Sequence, residues 1–231
     1  MSTLRPAGML GSARAVLGKD LLLEWRTRAR LNALLFFALI TLLMFWFASS
    51  SDPVLLRRNA GGYLWLAVLF ASILSLGESF RVETENGALD GLRLAPTDAR
   101  GVFLGKALSN AVLLFGLSVV LIPVMIALYD VRLAMGPAPL LLALALGATA
   151  ISAPGTIHSA IATNVRARDV LLPVLLFPLL VPALISGVRA TTLIIQGDPQ
   201  GDLPSWLGLL TAFNLIYWGI GVALFPAVIE E

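Results

Sequence analysis

Six long apolar runs divide this chain, with short polar stretches between them. They extend from about Asn32 to Ala48, Gly62 to Gly77, Val102 to Leu128, Pro139 to Ala162, Val170 to Val188 and Trp206 to Ile229. A helix needs about 20 predominantly apolar residues to cross about 30 Å of hydrocarbon. A transmembrane barrel would alternate apolar and polar residues in segments of roughly ten, and no such alternation occurs. The pattern predicts an all-α membrane protein of six transmembrane helices, organised as a single domain over residues 1–231. FASSSDP, after the first run, looks like a small-residue cleavage site. The run before it starts too late and is too long for a signal peptide, so it is read as the first span.

Residues 1–31 precede that span. Met9, Ala13, Val16, Leu17 and Leu21 recur there at helical spacing, while charges interrupt the stretch every few residues. An interfacial helix on the cytoplasmic side is predicted. Asp20 and Glu24 fall within the stripe, and Glu24 with Arg28 forms a favourable i,i+4 pair. Two roles fit such a helix: a surface anchor that orients the first span, or a docking element for a cytoplasmic partner.

Between the second and third runs lies ETENGALDGLRLAP, residues 83–96. Asn86 caps a short helix over Ala88 to Leu94, and Pro96 ends it. Thr97 then caps a new helix that starts with Asp98 and runs into the third span. Leu89 and Leu92 share one face of the short helix. They either touch the bilayer surface or fill a groove on a soluble partner. A short helix fixed at both ends to spans moves with them, so it can pass a partner's motion into the membrane.

Composition sharpens this picture. The chain is 58% hydrophobic and 13% charged, with a mean hydropathy of +0.89. It has no cysteine, which excludes disulfides and thiolate metal sites, and its one histidine excludes a histidine-built zinc site in a single chain. Basic residues are unevenly placed. Twelve (Arg5, Arg14, Lys19, Arg26, Arg28, Arg30, Arg81, Arg93, Arg100, Lys106, Arg166, Arg168) fall on one side of the six-span topology. Four, Arg57, Arg58, Arg132 and Arg189, fall on the other. The positive-inside rule puts both termini and residues 83–96 in the cytoplasm. Nothing suggests nucleic acid as a partner.

Candidate chemistry is sparse. No GxxxxGK[ST] phosphate loop is present, so any ATP is bound elsewhere. GESF and APGT are not nucleophile elbows. Acids and bases are nearly absent from the spans, unlike ion-coupled transporters. Glu78, beside Arg81, reads as an interfacial pair rather than a proton site. His158, the one histidine, falls near the cytoplasmic end of the fourth run, where a lone histidine more often bonds a neighbouring helix than ligates a metal centre. Pro154 and Gly155 interrupt the fourth run, and Pro173, Pro178 and Pro182 the fifth, as hinges or as static bends. TTLII, residues 191–195, is apolar enough to dip back at the membrane edge, with Trp206 anchoring the sixth span. Trp46, Tyr63, Trp65, Tyr129, Tyr217 and Trp218 are read as interface-belt or packing aromatics.

KDLLLEWRTR, ETENGALDGLRLAP and FLGKAL occur here in an order that resembles the permeases of ABC-2-type exporters. Three longer stretches, LEWRTRARLNALLFFALI, ENGALDGLRLAPTDARGVFLGKALSN and NVRARDVLLPVLLFPLLVPALISGVRAT, resemble most closely the heme exporter protein B (CcmB) family. They run through most of residues 17–192. The resemblance implies a permease subunit, not itself an enzyme, in the bacterial inner membrane. It implies no firmly bound cofactor, heme as the substrate, and ATP held by a separate ATP-binding subunit, CcmA. CcmC, CcmD, a second copy of the chain and the lipid bilayer are the further partners implied. The second-to-third loop of such permeases carries the coupling helix. Leu89, Asp90, Leu92 and Arg93, with Glu24 of the N-terminal helix, are the ATPase contacts this implies. Export of heme itself and release of a heme-loaded chaperone both fit the family. Rival readings are an exporter of a lipid or drug and a non-transporting scaffold for heme-handling subunits.

Overall fold

A computed structural model of the chain describes residues 8–50, 52–80, 98–162 and 168–230. Those residues form helices α1 (Met9–Thr27), α2 (Ala29–Ala48), α3 (Pro53–Glu78), α4 (Ala99–Tyr129), α5 (Pro137–Ala162), α6 (Arg168–Gln196) and α7 (Leu203–Glu230). Helices α2 to α7 are each long and apolar enough to cross a membrane.

Local chemistry sets the ends. The Asp52 carboxylate accepts from the Val54 amide at 2.9 Å, and Pro53 occupies the first helical position, so α3 begins ahead of its apolar run. Arg57 and Arg58 therefore lie on helix rather than in a loop. At α4 the N-cap is Asp98, whose carboxylate accepts from the Arg100 amide at 2.9 Å. The expected cap was Thr97, one residue earlier and outside the described residues. Thr191 to Ile195, expected to dip back at the membrane edge, lie inside α6 instead. Their hydroxyls do not oppose a helix there. Thr192 donates to the Val188 carbonyl at 2.8 Å and Thr191 accepts from the Trp65 indole at 2.9 Å. The helix stops at Gly197, whose φ of 97° suits glycine. Pro123, Pro154, Pro173, Pro178, Pro182 and Pro226 all sit inside helices.

Packing follows the sequence of small residues. Trp65, 1% exposed, lies at the centre of the core. Gly187 of α6 and Gly147 of α5 receive its ring, and a methyl group at Gly187 would stand 2.7 Å from the indole. Close approach through small residues is how membrane helices pack when lipid removes the hydrophobic drive between them. Tyr129 is wholly buried and donates to the Leu42 carbonyl at 2.8 Å, joining α4 to α2.

Candidate functional site at the α1 end of the bundle

The stripe of α1 faces protein. Ser12 and Ala13 are buried against α4, where Gly101 and Gly105 make room for them. A methyl group at Gly101 would stand 2.7 Å from Ser12 Cβ, and one at Gly105 2.7 Å from the Ala13 carbonyl oxygen. GVFLG, residues 101–105, is thus a small-xxx-small face for α1. Leu10, Leu22, Leu23 and Trp25 of α1 are the exposed ones.

The register continues. Asp20 follows Ala13 and Val16 on the same face and meets Lys106 and Ser109 of α4. Lys106 is only 3% exposed. Its ammonium lies 3.2 Å from Asp20 Oδ2, 2.7 Å from the Ser79 carbonyl oxygen and 5.0 Å from the Phe80 ring centroid. A buried ammonium has three protons to place. The carboxylate and carbonyl take two of them, and the ring face stabilises the charge.

One turn on, the α1–α2 junction adds a second pair. Arg28 adopts a left-handed conformation, φ 50° and ψ −7°, which ends α1 and starts α2. That turn breaks the regular spacing on which the expected Glu24–Arg28 pair depended. Arg28 Nε donates instead to the Trp25 carbonyl at 3.3 Å. Glu24 pairs with Arg30, at 3.3 Å, and is itself buried, 7% exposed. Arg30 Nη2 also donates to the Ser75 carbonyl at 2.7 Å, Ser75 Oγ at 2.6 Å and Asn110 Oδ1 at 3.3 Å. Asn110 Nδ2 in turn donates to Ser79 Oγ and to Thr156 Oγ1 of α5, each at 3.1 Å.

One polar network therefore joins α1, α2, α3, α4 and α5. It borders a cavity of about 510 Å³ lined by Asp20, Glu24, Glu78, Arg30 and Lys106 among others. Thirty-one residues make α4 about 46 Å long, about 16 Å more than the hydrocarbon core is thick, so the helix is long enough to extend beyond it. Lys106 binds α4 to the end of α3, so it ties together the two anchors of segment 81–97.

Of the sequence-predicted contact residues, Leu89, Asp90, Leu92 and Arg93 lie outside the described residues, as does Arg81. Glu24 is described and faces the network. Lys106, assigned from sequence to the loop flank, is buried in helix. His158 Nδ1 lies 2.8 Å from the Pro154 carbonyl oxygen, so its own helix holds the ring. Sequence reasoning missed Arg30, Asn110 and the Asp20–Lys106 pair. The available signal was that Asp20 and Glu24 occupy the buried register of α1, where an acid needs a basic partner.

Comparison with known proteins adds an independent line. Residues 12–230 match the family described as CcmB protein. The chain is 32% identical over 209 residues to heme exporter protein B of Pseudomonas aeruginosa, covering 90% of this chain and 93% of that protein. To heme exporter protein B of Rhodobacter capsulatus it is 37% identical over 180 residues, covering 76% and 80%. To that of Paracoccus denitrificans it is 36% identical over 205 residues, covering 87% and 91%.

Proposed function

The chain belongs to the CcmB family, and from that premise we propose that it is the membrane permease subunit of an ATP-driven complex for heme export or heme-chaperone release in c-type cytochrome biogenesis. ATP is bound and hydrolysed by a separate subunit, CcmA. CcmC and CcmD complete the complex, with two copies of this chain. Both termini face the cytoplasm of a bacterial cell, and the chain sits in its inner membrane.

The observation that carries the mechanism is the Lys106 contact to Ser79 and Asp20. Segment 81–97 enters from α3 and leaves into α4. Lys106 bridges those two helices and adds α1. A force on the segment is then borne by three helices as one body, with Arg30 extending the body to α2. Leu89 and Leu92 are the apolar anchors in the ATPase groove, and Asp90 and Arg93 flank them. Glu24 acts indirectly, by holding Arg30 and with it the α1–α2 turn.

Each buried leucine contributes about 1.5–3 kcal/mol relative to exposure. Leu89→Asp together with Leu92→Asp should therefore strip the ATPase subunit from the purified complex while the permease still inserts. Full co-purification of the ATPase with that variant, at normal membrane abundance, would assign the leucines to the bilayer surface instead.

A further inference from the structure

A second polar feature lies at the opposite end of the bundle. By connectivity only four of the chain's sixteen basic residues lie there, and three of them, Arg57, Arg58 and Arg132, line one cavity of about 520 Å³ with Val54, Ile195 and Gln196. Small-molecule sites commonly fall between about 300 and 1,000 Å³. The walls come from three elements that are pinned together. The Met135 amide donates to the Ile194 carbonyl at 3.1 Å, Ala134 to Ile195 at 3.4 Å, and Gln196 Nε2 to the Arg58 carbonyl at 3.3 Å. Arg57 reaches Asp130 at 3.6 Å, an acid that is itself well exposed. The lining itself holds three arginines and no acid; Arg57 pairs with Asp130 and donates through Nε to the Pro53 carbonyl at 3.1 Å, which leaves Arg58 and Arg132 as an excess of two positive charges on the cavity wall.

We propose that this cavity receives the paired carboxylates of an amphipathic dianion. The planar fork of arginine matches a carboxylate with two parallel hydrogen bonds, and Val54 and Ile195 offer apolar surface beside the charges. Two carboxylates would neutralise the excess. On the heme-export reading, on which this inference rests, the dianion is the propionate edge of the porphyrin, met at the end of the bundle remote from the α1 network.

The test uses the full chain in phosphatidylcholine nanodiscs, titrated with zinc protoporphyrin IX and, separately, with its dimethyl ester. The diacid should bind the wild-type chain at least tenfold tighter than the ester. Arg57→Gln, Arg58→Gln and Arg132→Gln combined should remove that preference and leave ester binding unchanged. If the triple variant fails to fold, Arg132→Gln alone should still weaken diacid binding severalfold. Equal binding of diacid and ester, or diacid binding indifferent to the arginines, overturns the proposal. So does stoichiometric displacement of the porphyrin by phosphatidylglycerol, which would give the cavity to a lipid headgroup. Assembly of c-type cytochromes in cells is read in parallel. Assembly that needs the chain but not the arginines sinks this inference alone. Assembly indifferent to deletion of the chain sinks the heme reading itself.

Discussion

Lys106 of α4 and Asp20 of α1 stand 3.2 Å apart across 86 residues of sequence, and Lys106 is almost fully buried. An ammonium in that position is stable only while its partners remain. Lys106→Met should destabilise the chain by roughly 3 kcal/mol, the low end for breaking a buried pair, because the Asp20 side chain keeps 15% exposure. Adding Asp20→Asn should recover part of that loss. Thermal unfolding in detergent measures both. A single variant as stable as wild type would mean the pair contributes nothing.

The α1–α4 contact makes a contrasting pair of glycines. Gly105 meets the Ala13 carbonyl and Val16, whereas Gly116 on the same helix has open space. Gly105→Leu should cost about 1–3 kcal/mol through overpacking and loosen α1. Trypsin should then cut at the exposed Arg14 and Lys19 several times faster. Gly116→Leu should leave the cleavage rate unchanged, and equal rates in the two variants would refute the packing role of Gly105.

Orientation has its own check. Ser12, buried against Gly101, is a poor site for a thiol label whichever side it faces. Ala15→Cys and Gln200→Cys, both exposed, are better. The excess of basic residues at the α1 end requires that Ala15→Cys be shielded from a membrane-impermeant reagent in intact cells and that Gln200→Cys react. The opposite pattern would invert the topology.

Much of the fold was legible in the chain because a bilayer imposes a length and a composition that each span must meet alone. The start of α4 was legible too, to within the single residue that separates Thr97 from Asp98. The network was not, because its bonds are non-local. Nothing near Arg30 names Ser75 or Asn110, which lie 45 and 80 residues away. Arg28 misled for the opposite reason. Its i,i+4 spacing to Glu24 promised a pair that only an unbroken helix would deliver, and Arg28 is where the helix turns. The place of TTLII inside α6, rather than dipping back at the membrane edge, depends on Trp65, whose indole reaches Thr191 from α3 across 126 residues.

On the proposed function, this chain couples a partner's ATP hydrolysis to movement of its spans. The most direct measurement is the ATP hydrolysis rate of the ATP-binding subunit, alone and in a reconstituted complex with this chain. The wild-type chain should stimulate hydrolysis several-fold, and Leu89→Asp with Leu92→Asp should abolish that stimulation. A rate identical with and without the chain, while c-type cytochrome assembly proceeds, would contradict this coupling and leave a scaffold in place of a permease.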